Sequence, residues 1–224
     1  MNQEPTVHLV DDDGAVLRAV SRLLRSEGFR VEQYASAGQF LERHDPSMPG
    51  CLVLDLAMPG LDGVQLQRAL RESGGTLPIM FLTGRADVPT SVRVMKDGAS
   101  DLLTKPCDDA TLIAAVRRAI EHDSAARQGR ASLAAIERAF QTLTTRERQV
   151  LKAVASGLLN KQSAASLGIT EKTIKVHRAR VMTKMGAGSL AELVRMADRL
   201  GLFGTAAVAP ALAQSPIPLP AAMR

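Results

Sequence analysis

The chain has 224 residues, of which 46% are hydrophobic and 3% aromatic, and its 28 Lys and Arg outnumber its 23 Asp and Glu. This length allows two ordinary domains, and the composition is typical of soluble globular proteins. The sequence has no apolar run of bilayer length and no basic-then-apolar leader, so we expect a cytoplasmic protein without a membrane partner. Its two cysteines, Cys51 and Cys107, lack metal-ligand spacing and are expected to be free thiols.

Charge is divided unevenly along the chain. Residues 1–123 carry 13 Lys and Arg against 18 Asp and Glu, whereas residues 124–224 carry 15 against 5. An acidic half joined to a strongly basic half predicts two roles, the second of which involves a polyanion. Because a basic composition alone can also serve only solubility, a motif is needed to decide.

Residues 1–123 alternate between short apolar runs and segments of helical periodicity. In AVLRAVSRLLRSEG, for example, the apolar side chains fall on one face of a helix. Five such β–α units predict an α/β fold with a doubly wound, five-stranded parallel sheet. The predicted strands are TVHLV (6–10), RVEQY (30–34), CLVL (51–54), IMFLT (79–83) and DLLT (101–104).

Polar side chains lie at the carboxyl ends of four of these strands, where ligands bind in such sheets. They are Asp11, Asp12 and Asp13 after the first strand, Asp55 after the third, Thr83 in the fourth and Lys105 after the fifth. Taken alone, Asp55 is better explained as the first polar residue of a loop than as a reactive group. Together, however, several carboxylates repel one another and call for a cation such as Mg²⁺, while a lysine and a threonine hydroxyl suit a phosphoryl group.

These motifs, VDDD, LDLAMPGLDG, LTG and KP in this order, make residues 1–123 resemble the receiver domain of two-component response regulators. The resemblance implies a flavodoxin-like fold in which Asp55 accepts a phosphoryl group from a sensor histidine kinase. It also implies that Asp11, Asp12, Asp55 and the carbonyl of Ala57 bind Mg²⁺, while Thr83 and Lys105 contact the phosphoryl oxygens. Asp13 is expected at a helix N-terminus, where it favours the dipole, rather than at the metal.

Two positions depart from the family's pattern. Leu102 stands in the fifth strand where the family often has an aromatic switch residue, and Cys107 stands where Phe often follows Lys-Pro. Neither residue is needed for the phosphorylation chemistry, so the departure concerns the switch that reports it.

The second half contains a basic helix-turn-helix pattern after a linker, predicted to be partly helical, over 124–140. A first helix begins at LTTRERQVL with Thr144 or Thr145 as its N-cap. A short helix over 160–167 ends at Gly168, and Thr170 caps a helix over 171–185. That last helix carries its cations on one side and the apolar Ile174, Val181 and Met185 on the other, as a helix that reads the major groove requires.

Residues 141–203 look like the C-terminal domain of LuxR/NarL-type regulators, most closely the FixJ subgroup. The carrying motifs are LTTRERQVL, LGIT with KVHR, and SLAELVRMA. The resemblance implies DNA-facing residues Thr173, Lys175, Val176 and Arg178, phosphate contacts at Lys161 and Lys172, and a dimer surface on a helix over about 189–200. Ser163 stands where the family usually has Ile, and a buried hydroxyl there would need a partner. The Ala/Pro-rich residues 204–224 are expected to be disordered.

We therefore expect a phosphorylation-switched transcription factor that is not an enzyme. Its partners would be a sensor histidine kinase, promoter DNA, RNA polymerase and, once phosphorylated, a second copy of itself. One alternative is a Mg²⁺-dependent aspartyl-phosphate enzyme of the haloacid dehalogenase type, which usually places its nucleophile after the first strand and not after the third. Another is a LuxR-type regulator switched by a small autoinducer, which would want an apolar cavity instead of an acidic pocket.

Overall fold

The structure is a computed structural model that describes residues 4–84 and 87–203. It divides into two compact units, Met1–Arg130 and Ala131–Arg224, which are described separately below. The disordered tail predicted over 204–224 lies outside the described residues. No helix in the described part of the chain is both long and apolar enough to cross a membrane.

The first unit is built on a parallel sheet with the order β2-β1-β3-β4-β5, so the predicted fold class is confirmed. The strands are β1 (Thr6–Val10), β2 (Arg30–Tyr34), β3 (Gly50–Leu54), β4 (Ile79–Thr83) and β5 (Asp101–Thr104). The third strand begins one residue earlier than its apolar run predicts, because Gly50 pairs with Thr6 of β1, and its N–H donates to the carboxylate of Asp123.

Helices cover both faces of the sheet, which explains why β1, β3 and β4 are buried along their whole length. They are α1 (Gly14–Ser26), α2 (Ala37–Arg43), α3 (Gly63–Glu72), α4 (Val88–Lys96) and α5 (Asp109–Gln141). One core joins the sheet to α1 and α5 around Leu24, Met80 and Val116. The other joins it to α2, α3 and α4 around Phe40 and Phe81.

Helix α5 is 33 residues long and includes the division between the two units. The linker predicted over 124–140 lies within this helix, which continues through Gly129 despite the roughly 1 kcal/mol that a glycine costs inside a helix. Arg127 holds this stretch against the loop before β3. Its guanidinium donates hydrogen bonds to the carbonyl oxygens of Ser47 (2.7 Å) and Met48 (2.6 Å), and to the carboxylate of Asp123.

The second unit is helical, with α6 (Thr145–Ala155), α7 (Asn160–Leu167), α8 (Glu171–Met185) and α9 (Leu190–Arg199). Of the two N-cap candidates for α6, Thr144 is the one that caps the helix, and Thr170 caps α8, as the sequence predicts. Gly168 ends α7 with φ of 66°, a left-handed conformation that favours glycine. The predicted inward face of α8 is also confirmed, because Ile174, Val181 and Met185 are all buried.

Candidate functional site

Asp11 and Asp55 stand side by side at the carboxyl edge of the sheet. Strands β1 and β3 are neighbours whose last residues, Val10 and Leu54, are paired, so the next residue of each chain segment emerges at the same place. The backbone N–H of Asp55 donates to the carbonyl of Val10 at 2.9 Å. Both carboxylate residues are only 6% exposed, which marks them as a buried acidic pair and not as ordinary loop residues.

The ammonium group of Lys105 bridges these two carboxylates. Its Nζ lies 2.5 Å from Oδ2 of Asp11 and 2.9 Å from Oδ1 of Asp55. Burial lowers the pKa of Lys105, but the hydrogen bonds and charges of the two aspartates outweigh burial and leave that pKa above its usual range. Two carboxylates and one ammonium carry a net negative charge in a largely water-excluded place.

Thr83 and Gly63 complete the edge of the sheet around Asp55. Thr83 is buried at the end of β4, and its carbonyl accepts the backbone N–H of Lys105 at 2.7 Å, which ties the two predicted phosphoryl contacts together. The backbone N–H of Ala57 donates to Oδ2 of Asp55 at 2.8 Å. A Cβ added to Gly63 would collide with the carbonyl oxygen of Asp55, so only glycine lets α3 begin so close to this loop.

Of the three predicted metal-binding carboxylates, the structure brings Asp11 and Asp55 together. Asp12 is exposed, and among residues 4–84 and 87–203 no group of three Asp, Glu, His or Cys side chains could hold a metal ion. The reason is local: Asp12 lies between Asp11 and Asp13, and Asp13 caps α1 by accepting the N–H of Ala15. Nevertheless, the oxygen-only donors and the net negative charge fit Mg²⁺, which typically takes one or two protein carboxylates and keeps several waters.

The two departures from the receiver pattern lie in core contacts near this edge. Leu102 is half-buried in β5 and packs against the core that contains Phe81. Cys107 is half-buried, and burial raises the pKa of its thiol. Both cysteines are free thiols, as predicted, and Cys51 is fully buried, which raises its pKa to about 12.

In the second unit, most of the predicted DNA-facing residues lie on the exposed side of α7 and α8. Lys161, Lys172 and Lys175 are exposed, and Val176 is 46% exposed. The ammonium of Lys175 pairs with Glu171 at 3.7 Å, a surface contact one helical turn away.

Thr173 and Arg178 are half-buried and bound to other residues of the same unit. The backbone N–H and hydroxyl of Thr173 both meet the hydroxyl of the capping residue Thr170. The guanidinium of Arg178 donates to Oδ1 of Asn160 at 3.3 Å. The structure therefore separates the six predicted contacts into an exposed group and a restrained pair.

An ion pair that the sequence did not indicate fixes the end of α8 against α6. Glu147 is buried, and Oε2 accepts hydrogen bonds from Lys184 Nζ (2.7 Å) and from the backbone N–H of Thr144 (2.8 Å). These bonds lower the pKa of Glu147 to about 2. Glu147 also completes a capping box with Thr144, whereas its partner Lys184 lies 37 residues later in the chain, a separation that no local spacing indicates.

Two family models match this chain in succession. The model for the response regulator receiver domain matches residues 7–117, and the model for bacterial regulatory proteins of the luxR family matches residues 141–197. The first matched range contains the carboxylate edge of the sheet, and the second contains the helix-turn-helix described above.

Relatives of known role match over both regions together. The transcriptional regulatory protein FixJ of Azorhizobium caulinodans is 45% identical over 90% of this chain and 96% of its own length. Nodulation protein W of Bradyrhizobium diazoefficiens is 44% identical over 88% of this chain and 86% of its own. The response regulator StyR, whose structure is solved, is 43% identical in sequence to this chain. The match covers 88% of this chain and 99% of the StyR chain, and the two structures superpose with a TM-score of 0.79.

The fold and the two sites define a receiver unit followed by a DNA-binding unit. The chain belongs to the response regulators that join a receiver domain to a LuxR-type helix-turn-helix, the group that includes FixJ. It regulates transcription, as predicted, and none of these matches favours a haloacid dehalogenase-type enzyme or an autoinducer-switched regulator.

Proposed function

We propose that Asp55 accepts a phosphoryl group from a histidine of a sensor kinase, and that this modification promotes dimerisation and binding to promoter DNA. The observation that carries the proposal is the buried Asp11–Asp55 pair bridged by Lys105 at the carboxyl edge of the sheet. A buried carboxylate that is bound to an ammonium group at the carboxyl edge of a parallel sheet is a strong candidate for chemistry.

In the transfer step, a carboxylate oxygen of Asp55 attacks the phosphorus of the phosphohistidine. A new P–O bond forms, the P–N bond breaks, and its electron pair stays on the imidazole nitrogen. The product is an acyl phosphate on Asp55. Because the N–H of Ala57 holds Oδ2 and Lys105 holds Oδ1, the carboxylate is oriented before the donor arrives.

Asp11, Asp12, Asp55 and the carbonyl of Ala57 would hold Mg²⁺. When bound, this ion supplies positive charge that offsets the charge of the incoming phosphoryl oxygens. Asp12 contributes from the surface of the site, consistent with a metal that keeps much of its water.

Lys105 and Thr83 respond to the new phosphoryl group. The ammonium of Lys105 exchanges a carboxylate oxygen of Asp55 for a phosphoryl oxygen, and the hydroxyl of Thr83 donates to another. Thr83 ends β4 and Lys105 follows β5, so a movement of these two residues changes the positions of α4 and β5. The modification thus shifts an existing equilibrium of that face towards a form that associates with two-fold symmetry.

Dimerisation brings two copies of α8 to adjacent half-sites on promoter DNA. Lys161 and Lys172 contact phosphates, while Thr173, Lys175, Val176 and Arg178 lie on the DNA side. Because phosphate contacts release counterions, log affinity should fall by roughly 0.9 per contact per tenfold rise in salt. Such a regulator works in the cytoplasm, where the bound dimer can contact RNA polymerase.

The transfer is tested by incubating the full-length protein with acetyl phosphate and Mg²⁺ and measuring its mass. In this reaction Asp55 attacks phosphorus and acetate leaves, so the wild type gains one phosphoryl group. Asp55→Asn should gain none, whereas the matched control Asp198→Asn, an exposed carboxylate of the second unit, should be labelled normally. Labelling of Asp55→Asn at another residue would show that the phosphoacceptor lies elsewhere.

The coupling is tested by sedimentation and DNA affinity with and without beryllofluoride, a mimic of the phosphoryl group, at two salt concentrations. The proposal requires dimerisation and tighter binding of duplex DNA after modification. A protein that remains monomeric with unchanged affinity, although Asp55 is modified, would leave two unlinked domains.

A further inference from the structure

Arg178 does not lie on the outward face of the recognition helix α8. It follows the fully buried Ile174 by four residues, so the two side chains leave the same side of the helix. Lys172 and Val176 are also four residues apart, and both are exposed on another side. The position of Arg178 is therefore a flank of α8 where it packs on the rest of the unit.

The guanidinium of Arg178 is held by the first residue of the preceding helix. Oδ1 of Asn160, which begins α7, accepts a hydrogen bond from Nη1 of Arg178 at 3.3 Å, and both residues are half-buried. Within residues 131–203 no other hydrogen bond or ion pair restrains this guanidinium. Four of the five N–H donors of the arginine thus remain available to an external acceptor.

We propose that Asn160 is a positioning residue that holds Arg178 at the edge of the DNA-binding face, where the guanidinium contacts a DNA phosphate and not a base. This inference rests on the proposed DNA-binding function and deepens it. In helix-turn-helix proteins the first helix crosses the DNA backbone while the second enters the groove, so a guanidinium anchored to α7 lies beside phosphates. Lys161, the exposed neighbour of Asn160, lies at the same end of α7.

The energetic role of Asn160 is to restrict a flexible side chain before binding. A long arginine side chain loses rotamer freedom when it is fixed on DNA, and one hydrogen bond in the free protein reduces that loss. The planar guanidinium can then present two parallel N–H groups to a phosphate. Asn160 touches no DNA in this arrangement and acts only through Arg178.

The test is a double-mutant cycle for DNA affinity on the full-length protein treated with Mg²⁺ and beryllofluoride. The probe is a duplex selected by the wild type from a randomised pool, with a scrambled duplex of the same length beside it. The variants are Asn160→Ala, Arg178→Ala and the two combined. A matched second cycle combines Asn160→Ala with Arg180→Ala. Arg180 is an exposed arginine of the same helix that has no hydrogen bond to Asn160.

Asn160→Ala should weaken binding by roughly three- to tenfold, the effect of one hydrogen bond, when Arg178 is present. It should have no further effect in Arg178→Ala, whereas its effect should persist fully in Arg180→Ala. Arg178→Ala should weaken selected and scrambled duplexes alike and reduce the slope of log affinity against log salt by about 1. Thermal unfolding of each variant shows that these differences arise in binding.

Three outcomes would overturn the inference in different ways. Equal weakening by Asn160→Ala with and without Arg178 would give Asn160 an independent or purely structural role. A loss confined to the selected duplex would make Arg178 a base contact. Unchanged affinity of Arg178→Ala, with the wild type still binding, would remove the arginine from the interface but leave the proposed function standing. Only a wild type that binds no duplex would remove both.

Discussion

Each unit of the molecule contains a lysine that pairs with a buried carboxylate. The two arrangements differ in the number of carboxylates that share the lysine. In the first unit, Lys105 is shared between Asp11 and Asp55, so the group keeps a net negative charge. In the second, Glu147 is the one carboxylate that Lys184 pairs with, its ammonium also donates to the carbonyl of Thr142 at 3.2 Å, and the N–H of Thr144 donates to the same carboxylate. The first arrangement lacks countercharge, whereas the second is neutral and saturated.

This difference separates a reactive site from a structural one. A buried acidic group with too little countercharge attracts a cation and can exchange partners when a phosphoryl group arrives. A buried carboxylate with a single ammonium partner cannot exchange that partner without losing its compensating charge, so the pair fixes the packing of α6 against α8. Burial of a carboxylate alone does not distinguish the two roles.

The largest expected effect comes from breaking the neutral pair. Lys184→Ala removes the ammonium from the carboxylate of Glu147, which should lower the free energy of unfolding of the second unit by roughly 1.5–3 kcal/mol, the range for a charged hydrogen bond, because the lysine itself is partly exposed to water. Urea unfolding followed by far-UV circular dichroism measures this loss. Fluorescence of Tyr34, the only tyrosine in a chain without tryptophan, reports the first unit and should not change.

Lys175→Ala is the matched control, because its ammonium pairs with Glu171 at 3.7 Å on the exposed surface. Such a pair contributes at most about 1 kcal/mol. If Lys184→Ala costs no more than this control, the Glu147 pair is not structural.

Lys105→Ala should have a smaller and different effect. Asp11 and Asp55 remain available to Mg²⁺, so Mg²⁺ binding and labelling by acetyl phosphate should persist. The gain in DNA affinity on phosphorylation should be lost, a gain of roughly 5- to 150-fold if the coupling is of ordinary size. Arg22→Ala, which removes an exposed cation of α1, controls for charge. An undiminished gain in Lys105→Ala would show that the ammonium does not report phosphorylation.

Much of the fold could be predicted because its signals are local. The apolar runs defined all five strands, and Thr170 with Gly168 defined where α8 begins and α7 ends. The carboxyl-end rule alone predicts that Asp11, Asp55 and Lys105 lie together. These are consequences of periodicity, capping and sheet topology, all of which can be read within a few residues.

The remainder depends on side chains that meet across long stretches of sequence. Arg127 binds carbonyls about 80 residues earlier, and Lys184 reaches Glu147 across 37 residues. The exposure of Asp12 depends on how its two neighbours are used, one in the site and one as a helix cap. No periodicity in the sequence encodes such pairings, so they required the structure.

The two units should also respond differently to acid. Burial, and secondarily the neighbouring His44, lower the pKa of His8 to about 4, so below pH 6.5 the unfolded chain binds a proton that the folded unit does not. Stability of the first unit should therefore fall between pH 6.5 and 4, by at most about 1.4 kcal/mol per pH unit from this group. The pKa of Glu147 is lowered from 4.5 to about 2, so its contribution is lost only between those values.

This difference is tested by measuring the free energy of unfolding at several pH values from NMR signals of each unit. His8→Leu should flatten the pH dependence of the first unit between pH 4 and 6.5, while Tyr34 keeps its hydrogen bond to Glu32. His122→Leu, which removes an exposed histidine of the same unit, is the matched control. If both variants titrate like the wild type, His8 does not set the acid response.

The smallest expected effect concerns Ser163, which contrasts with the saturated Glu147 in the same unit. Its side chain is fully buried in α7, and its Oγ has no hydrogen-bond partner among the described residues. Because an unsatisfied buried hydroxyl is costly and alanine favours a helix, Ser163→Ala should raise the free energy of unfolding by about 1 kcal/mol.

Ser166→Ala is the matched control, since the hydroxyl of Ser166 donates to the carbonyl of Ser163 at 3.0 Å and the substitution removes that bond. Urea unfolding of both variants should therefore place Ser163→Ala above the wild type and Ser166→Ala below Ser163→Ala. The reverse order would mean that the Ser163 hydroxyl is satisfied in solution, for instance by a buried water, and that the second unit is as saturated there as it is at Glu147.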